Sequence, residues 1–205
     1  MSSPLVALDV AILLPPEPAA SVELLNKRLK APPEGFRFND RHLPHISLAQ
    51  QFSPTTELNA IQEAIGHVVR EHPSFEVTLA SVTSNERTAS LTVTPSSVLD
   101  TLHRRLMDQL AAFDVGVGDE RAFTRSDSKS ASAPRARDIS WVNQFRTEAA
   151  YDAFTPHVTL GIGTLKTTRS TVTFTVSSLA LCVLGRFCTC QEVVASWKLH
   201  HRQHQ

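Results

Sequence analysis

Net charge is the first thing this chain lacks: 20 Lys and Arg balance 20 Asp and Glu. A protein that coats nucleic acid or an anionic surface needs a broad basic excess, so that class is excluded and any nucleic-acid contact must be local. Cysteine is scarce too. Cys182, Cys188 and Cys190 are an odd three, without the paired spacing of a secreted disulfide framework or a structural zinc site. They read as free thiols in a reducing compartment. Long apolar runs are also missing, and no stretch approaches the ~20 residues that span a bilayer. The first apolar run has no basic segment before it and is interrupted by Asp9, unlike a secretory signal. The expectation is a cytoplasmic monomer with no membrane partner. A length of 205 residues with 41% hydrophobic content suits a single domain over 1–205, large enough to bury a core.

What the chain does have is one short pattern twice. Pro44-His45-Ile46-Ser47-Leu48 and Pro156-His157-Val158-Thr159-Leu160 both read Pro-His-(β-branched)-(hydroxyl)-Leu, 112 positions apart. An apolar residue between two polar ones is the period of a strand, on which residues i and i+2 share a face. His45 and Ser47 therefore share a face, as do His157 and Thr159. If the two strands are neighbours, two imidazoles and two hydroxyls surround one space.

The rest of the chain alternates strand and helix signals. Residues 5–14 read as a buried strand, with Asp9 its one polar position. Val22, Leu25 and Leu29 mark a helix over 18–29, and 31–35 is a loop. The first His strand takes 43–52. Leu58, Ile61, Ile65 and Val68 mark a second helix. Two alternating runs, Phe75-Val77-Leu79 and Ala89-Leu91-Val93, form a hairpin. Ser97 and Asp100 fit a capping box that opens a third helix, to Leu110. Within the least readable stretch, 114–150, residues 121–146 hold the one local basic excess, with Arg121, Arg125, Lys129, Arg135, Arg137 and Arg146 against Asp127 and Asp138. The centre of that segment, 124–134, has no periodicity and reads as a flexible basic loop. The second His strand takes 155–162, where Gly161 and Gly163 allow close backbone approach. Further strands follow over 172–176, 179–183 and 189–199, and 200–205 is a polar tail. The pattern is that of an α+β protein with a largely antiparallel sheet, and the repeated motif hints at a duplicated unit.

The paired Pro-His-x-(Ser/Thr)-Leu motifs, with the N-terminal strand and helix, Leu91-Thr92-Val93, Phe154-Thr155-Pro156 and Leu179-Ala180-Leu181, resemble the 2H phosphoesterase superfamily. That superfamily includes 2′-5′ RNA ligase-like proteins and cyclic phosphodiesterases. The resemblance implies two pseudo-symmetric lobes of antiparallel sheet with outer helices and a central cleft lined by both motif strands. It assigns His45 and His157 as catalytic, and Ser47 and Thr159 as holders of the substrate phosphate.

The chemistry fits those residue types. Imidazole titrates near neutrality, so one His can accept a proton from water while the other protonates the leaving ribose oxygen. Hydroxyls can hold non-bridging oxygens as charge builds. No metal or cofactor is called for. The expected partner is a nucleotide or RNA carrying a 2′,3′-cyclic phosphate or a 2′-5′ linkage, and Arg137, Trp141 and Phe145 are candidate substrate contacts. Two other readings stay open: a non-catalytic nucleotide- or RNA-binding module, and a zinc protein using His45, His157 and a cysteine. His42 reads as a surface residue, and His67, His72, His103, His200, His201 and His204 as incidental.

Overall fold

The architecture is given by a computed structural model, which describes residues 3–123, 133–166 and 169–200. Strand β1 (Leu5–Leu13) is the centre of the first sheet. Its even residues Val6, Leu8, Val10 and Ile12 enter the main core, whereas Ala7 and Ala11 face the other way into two smaller clusters. Asp9 shares the parity of those two alanines, so the one polar residue in the strand lies opposite the main core. Strand β2 (His45–Pro54) pairs antiparallel on one side of β1. On the other lies β7 (Ser178–Leu184), followed by β8 (Cys190–Lys198), for a sheet of order β2-β1-β7-β8.

The second sheet has order β5-β4-β3-β6. It contains the expected hairpin of β3 (Phe75–Ser84) and β4 (Ala89–Val93), flanked by β5 (His157–Gly161) and β6 (Arg169–Val176). All registered pairs in both sheets are antiparallel. Each His strand is the edge of its own sheet, and β2 and β5 lie against each other.

Helices cover the sheets. Helix α1 (Pro16–Asn26) packs on β5, while α2 (Leu58–Arg70) and α3 (Ser97–Leu110) pack together and against β8 and β2 respectively. The expected capping box at Ser97 is not formed. Ser96 is the N-cap, without a side-chain cap bond, and Asp100 instead pairs with Arg104 at 3.0 Å, one turn on. The segment after the basic run is more regular than its composition indicates. Helix α4 (Ala136–Gln144) continues into a wide turn over Phe145–Ala149 and packs against β2. Residues 124–132, the bulk of the expected loop, and the tail after His200 lie outside the described residues. Among the described residues no helix is long and apolar enough to cross a membrane.

Candidate active site

The two pentapeptides are built alike down to single hydrogen bonds. The carbonyls of Pro44 and Pro156 accept from Leu14 N at 3.0 Å and Val93 N at 3.1 Å, fixing the start of each strand on its neighbour. The carbonyl before each proline turns back to its histidine: His45 Nδ1 lies 2.7 Å from Leu43 O, and His157 Nδ1 lies 2.8 Å from Thr155 O. A carbonyl can only accept, so Nδ1 carries the proton in both rings and Nε2 keeps its lone pair when the ring is neutral. Both strands then bulge at the leucine that ends the motif. The register passes from Ser47 to Ala49 across Leu48, and from Thr159 to Gly161 across Leu160. Gly161 allows the second bulge. Its φ is 146°, and a Cβ there would meet Leu29 Cδ1 at 3.1 Å and Asn26 Nδ2 at 3.3 Å. Asn26 Nδ2 also donates to Leu160 O at 2.8 Å, clamping that strand end to α1.

His45, Ser47, His157 and Thr159 line one cavity of about 720 Å³ between the two edge strands. Burial pulls both imidazoles below their ordinary pKa. Their bonds to backbone carbonyls oppose the shift, and for His157 the neighbouring His45 adds to it. Each is held toward the neutral form, and their mutual repulsion opposes charging both at once.

Asp9 breaks the symmetry. The bulge at Leu48 brings Gln50, three residues after Ser47, onto the same face, and both reach the carboxylate. Ser47 donates to Asp9 Oδ2 at 2.6 Å, Gln50 Nε2 donates to the same oxygen at 2.8 Å, and His45 Nε2 lies 3.6 Å from it. Trp141 Nε1 donates to Gln50 Oε1 at 2.9 Å and completes the chain. Full burial pushes the Asp9 carboxyl up to about 7, against the pull of Ser47, Gln50 and the Leu48 backbone. Thr159 has no such partner among the described residues. Sequence reading saw Asp9 only as an interruption of an apolar strand. A carboxyl at the centre of a strand otherwise apolar from 5 to 14 is itself the signal that a polar cluster waits there.

The other expected contacts divide. Trp141 is 42% exposed and lines the cavity. Phe145 also borders it but is 4% exposed and belongs to the core. Arg137 stands exposed at the rim, with Arg87. Much of the basic excess is neutralised at home, as Arg121 pairs with Asp119, Arg135 with Asp138 and Arg146 with Asp114. The zinc trio of His45, His157 and a cysteine is not assembled. The cluster of metal-ligating side chains among the described residues is Asp9, His45 and Cys190.

Two histidines depart from their expected roles. His42 is not a surface residue: it is half-buried beside Phe36, with Nδ1 2.6 Å from Thr189 Oγ1. His103 is fully buried and not incidental. Its Nδ1 donates to Leu48 O at 2.6 Å, its Nε2 accepts from Tyr151 N at 2.8 Å, and its ring stacks on Phe154 at 3.8 Å. It therefore ties the first motif to the turn that leads into the second.

Two antiparallel sheets, each presenting a Pro-His-x-hydroxyl-Leu edge strand to a shared cleft, define the two-histidine phosphoesterase class. The family model of the 2′-5′ RNA ligase superfamily matches residues 14–185, and the chain belongs to that superfamily. Solved structures share the fold across nearly the whole length. TT0787 of Thermus thermophilus is 15% identical with a TM-score of 0.62, covering 97% of this chain and 100% of that one. Escherichia coli LigT complexed with NADP+ is 19% identical with a TM-score of 0.61, covering 98% and 100%. The same protein complexed with 3′-AMP is 20% identical with a TM-score of 0.60, covering 95% and 98%. No curated protein matches the chain.

Proposed function

We propose that this protein is a metal-independent phosphodiesterase that opens 2′,3′-cyclic phosphates, or cleaves 2′-5′ phosphodiesters, of nucleotides or RNA ends by general acid–base catalysis between His45 and His157. The observation that carries this reading is the matched pair of rings. Each has Nδ1–H spent on a backbone carbonyl, and both line one cavity. With the phosphate between them, one neutral imidazole takes the proton of the attacking water. The other, protonated, gives its proton to the leaving ribose oxygen, and exchange with solvent resets the pair. Thr159 offers an uncommitted hydroxyl to a non-bridging oxygen, and Ser47 offers another once Asp9 holds a proton. Trp141 has exposed ring surface on which a base can stack, and Arg137 at the rim can meet a further phosphate.

The test is turnover of a nucleoside 2′,3′-cyclic phosphate and of a 2′-5′ dinucleotide with EDTA present. His45→Ala and His157→Ala are each expected to lower kcat by about a hundredfold or more with the fold intact by circular dichroism. Calorimetric binding of 3′-AMP without turnover of any substrate in the panel would instead identify a nucleotide-binding module.

A further inference from the structure

Beneath the His45 side of the cleft, the catalytic imidazole sits beside two buried donors, Asp9 and Cys190, that take no part in the acid–base exchange. Asp9 on β1, His45 on β2 and Cys190 at the start of β8 each offer one ligand atom, and these atoms all lie within 4.8 Å of one another. The three residues are 0%, 7% and 0% exposed. His45 is oriented as metal-bound histidines are, with Nδ1–H on a backbone carbonyl and Nε2 toward the other donors. One carboxylate oxygen of Asp9 is held by Ser47 and Gln50. The other, Oδ1, is buried and makes no hydrogen bond of ordinary geometry, the Leu48 backbone offering the carboxyl only a weaker contact, an arrangement that costs stability unless something fills it.

We propose that Asp9, His45 and Cys190 form an inhibitory zinc site, in which Zn2+ captures the His45 lone pair that phosphodiester hydrolysis uses. The inhibitory half rests on the reading of His45 given above; the metal site does not. One imidazole, one carboxylate and one thiolate are the donors zinc takes, leaving a fourth position for water or another oxygen ligand. A hard oxygen-seeking cation such as Mg2+ or Ca2+ is disfavoured by the sulfur and nitrogen. Charge also balances. The dication replaces the Cys190 thiol proton, and the Asp9 proton where the carboxyl holds one, so a buried site with a thiolate and a carboxylate ends neutral. Those protons leave to solvent, and no electrons move. Cys182 touches Cys190 through a thiol hydrogen bond without being one of the three donors, and Cys188 lies at the cavity wall, outside the trio.

Protein stripped with EDTA should bind one equivalent of Co2+ with a thiolate-to-cobalt charge-transfer band, and Zn2+ should displace it. The tail from His200 to Gln205 contains no cysteine and cannot give that band. Cys190→Ser, with Cys190→Ala as a second replacement, should lose the band. Either should also weaken zinc inhibition by about tenfold or more, keeping the metal-free turnover of the wild type. Cys188→Ser should keep both. A band that survives at Cys190→Ser and Cys190→Ala, or wild-type zinc sensitivity in those variants, would overturn the site. A cysteine-dependent band in a protein that turns over no phosphodiester would leave the metal site standing and remove hydrolysis, and the inhibitory role with it.

Discussion

Single hydroxyls make the two halves of the cleft unlike. Ser47 gives its proton to Asp9 and receives one from Gln50, so as long as Asp9 is ionised Ser47 has nothing to donate to a phosphate. When the carboxyl is protonated it can donate to the Ser47 oxygen, and the hydroxyl is free to turn to the ligand. Asp9 sits at about 7. Ser47→Ala should therefore lower kcat/KM by about tenfold on the acid side of that value and progressively less above it. The cost of Thr159→Ala should stay flat across the same range, because no titrating partner holds that hydroxyl among the described residues. A pH-independent Ser47→Ala penalty would rule the idea out. The same carboxyl marks the stability curve. Its pKa is raised in the folded state from 3.8, so folding is favoured below the unfolded value and loses stability as pH rises toward about 7. A shift of roughly three units corresponds to roughly 4 kcal/mol. The lowered histidines act oppositely, costing stability as pH falls below their ordinary value. Comparing urea midpoints of Asp9→Asn and wild type cancels them, and the variant should gain on the wild type between about pH 4 and about pH 8. At this scale the matched histidines and hydroxyls were legible because period-2 spacing alone puts them on one face. The partnership of Ser47 with Gln50 was not, because it needs the bulge at Leu48, and period 2 sends residues three apart to opposite faces.

Elements carry the pair into register. The matching bulges at Leu48 and Leu160 let each edge strand turn its polar side to the cleft while its leucine stays in the core. His103 connects the two from α3. His103→Ala would leave Leu48 O and Tyr151 N–H without partners and remove the ring stacked on Phe154. The expected loss is about 3 kcal/mol in urea unfolding, partly restored by Gln, which offers one donor and one acceptor. If His103→Ala is as stable as wild type, the bridge has no structural weight. The strands and first three helices follow from apolar patterning: β3 and β4 alternate about one buried face, α2 and α3 bury one stripe, and β1 is an apolar run buried on both faces. The exceptions are instructive. Helix α4 carries Ile139 and Val142 as its apolar contribution, too short a stripe to stand out from the charged run before it. The capping box at Ser97 is absent: Ser96 is the N-cap without a side-chain bond, and Asp100 pairs with Arg104 a turn away. His103 looked like one more helix histidine because its two partners are 55 and 48 positions away, a distance no local pattern reports.

At the scale of the whole molecule, the site exists only where two sheets meet. His45 belongs to the sheet built on β1 and His157 to the sheet built on β4, so neither sheet holds an acid–base pair by itself. What their meeting adds is coupling. Both rings are shifted toward the neutral form by burial, and each disfavours the charge of the other. The pair therefore loses its protons in two macroscopic steps that belong to the pair and not to either ring. Hydrolysis needs the singly protonated pair, which is populated between those steps. Since both rings lie below the ordinary histidine value of 6.5, kcat/KM for the free enzyme should follow a bell with its maximum on the acid side of 6.5, falling on both flanks. Replacing either histidine should abolish the bell instead of shifting one limb, because the remaining ring cannot serve as both acid and base. The measurement is kcat/KM for a nucleoside 2′,3′-cyclic phosphate in EDTA across the acid and neutral range, at constant ionic strength so that screening of the phosphate does not imitate a limb. A maximum well above neutrality would mean that bound phosphate, and not the empty cleft, sets the protonation of the pair.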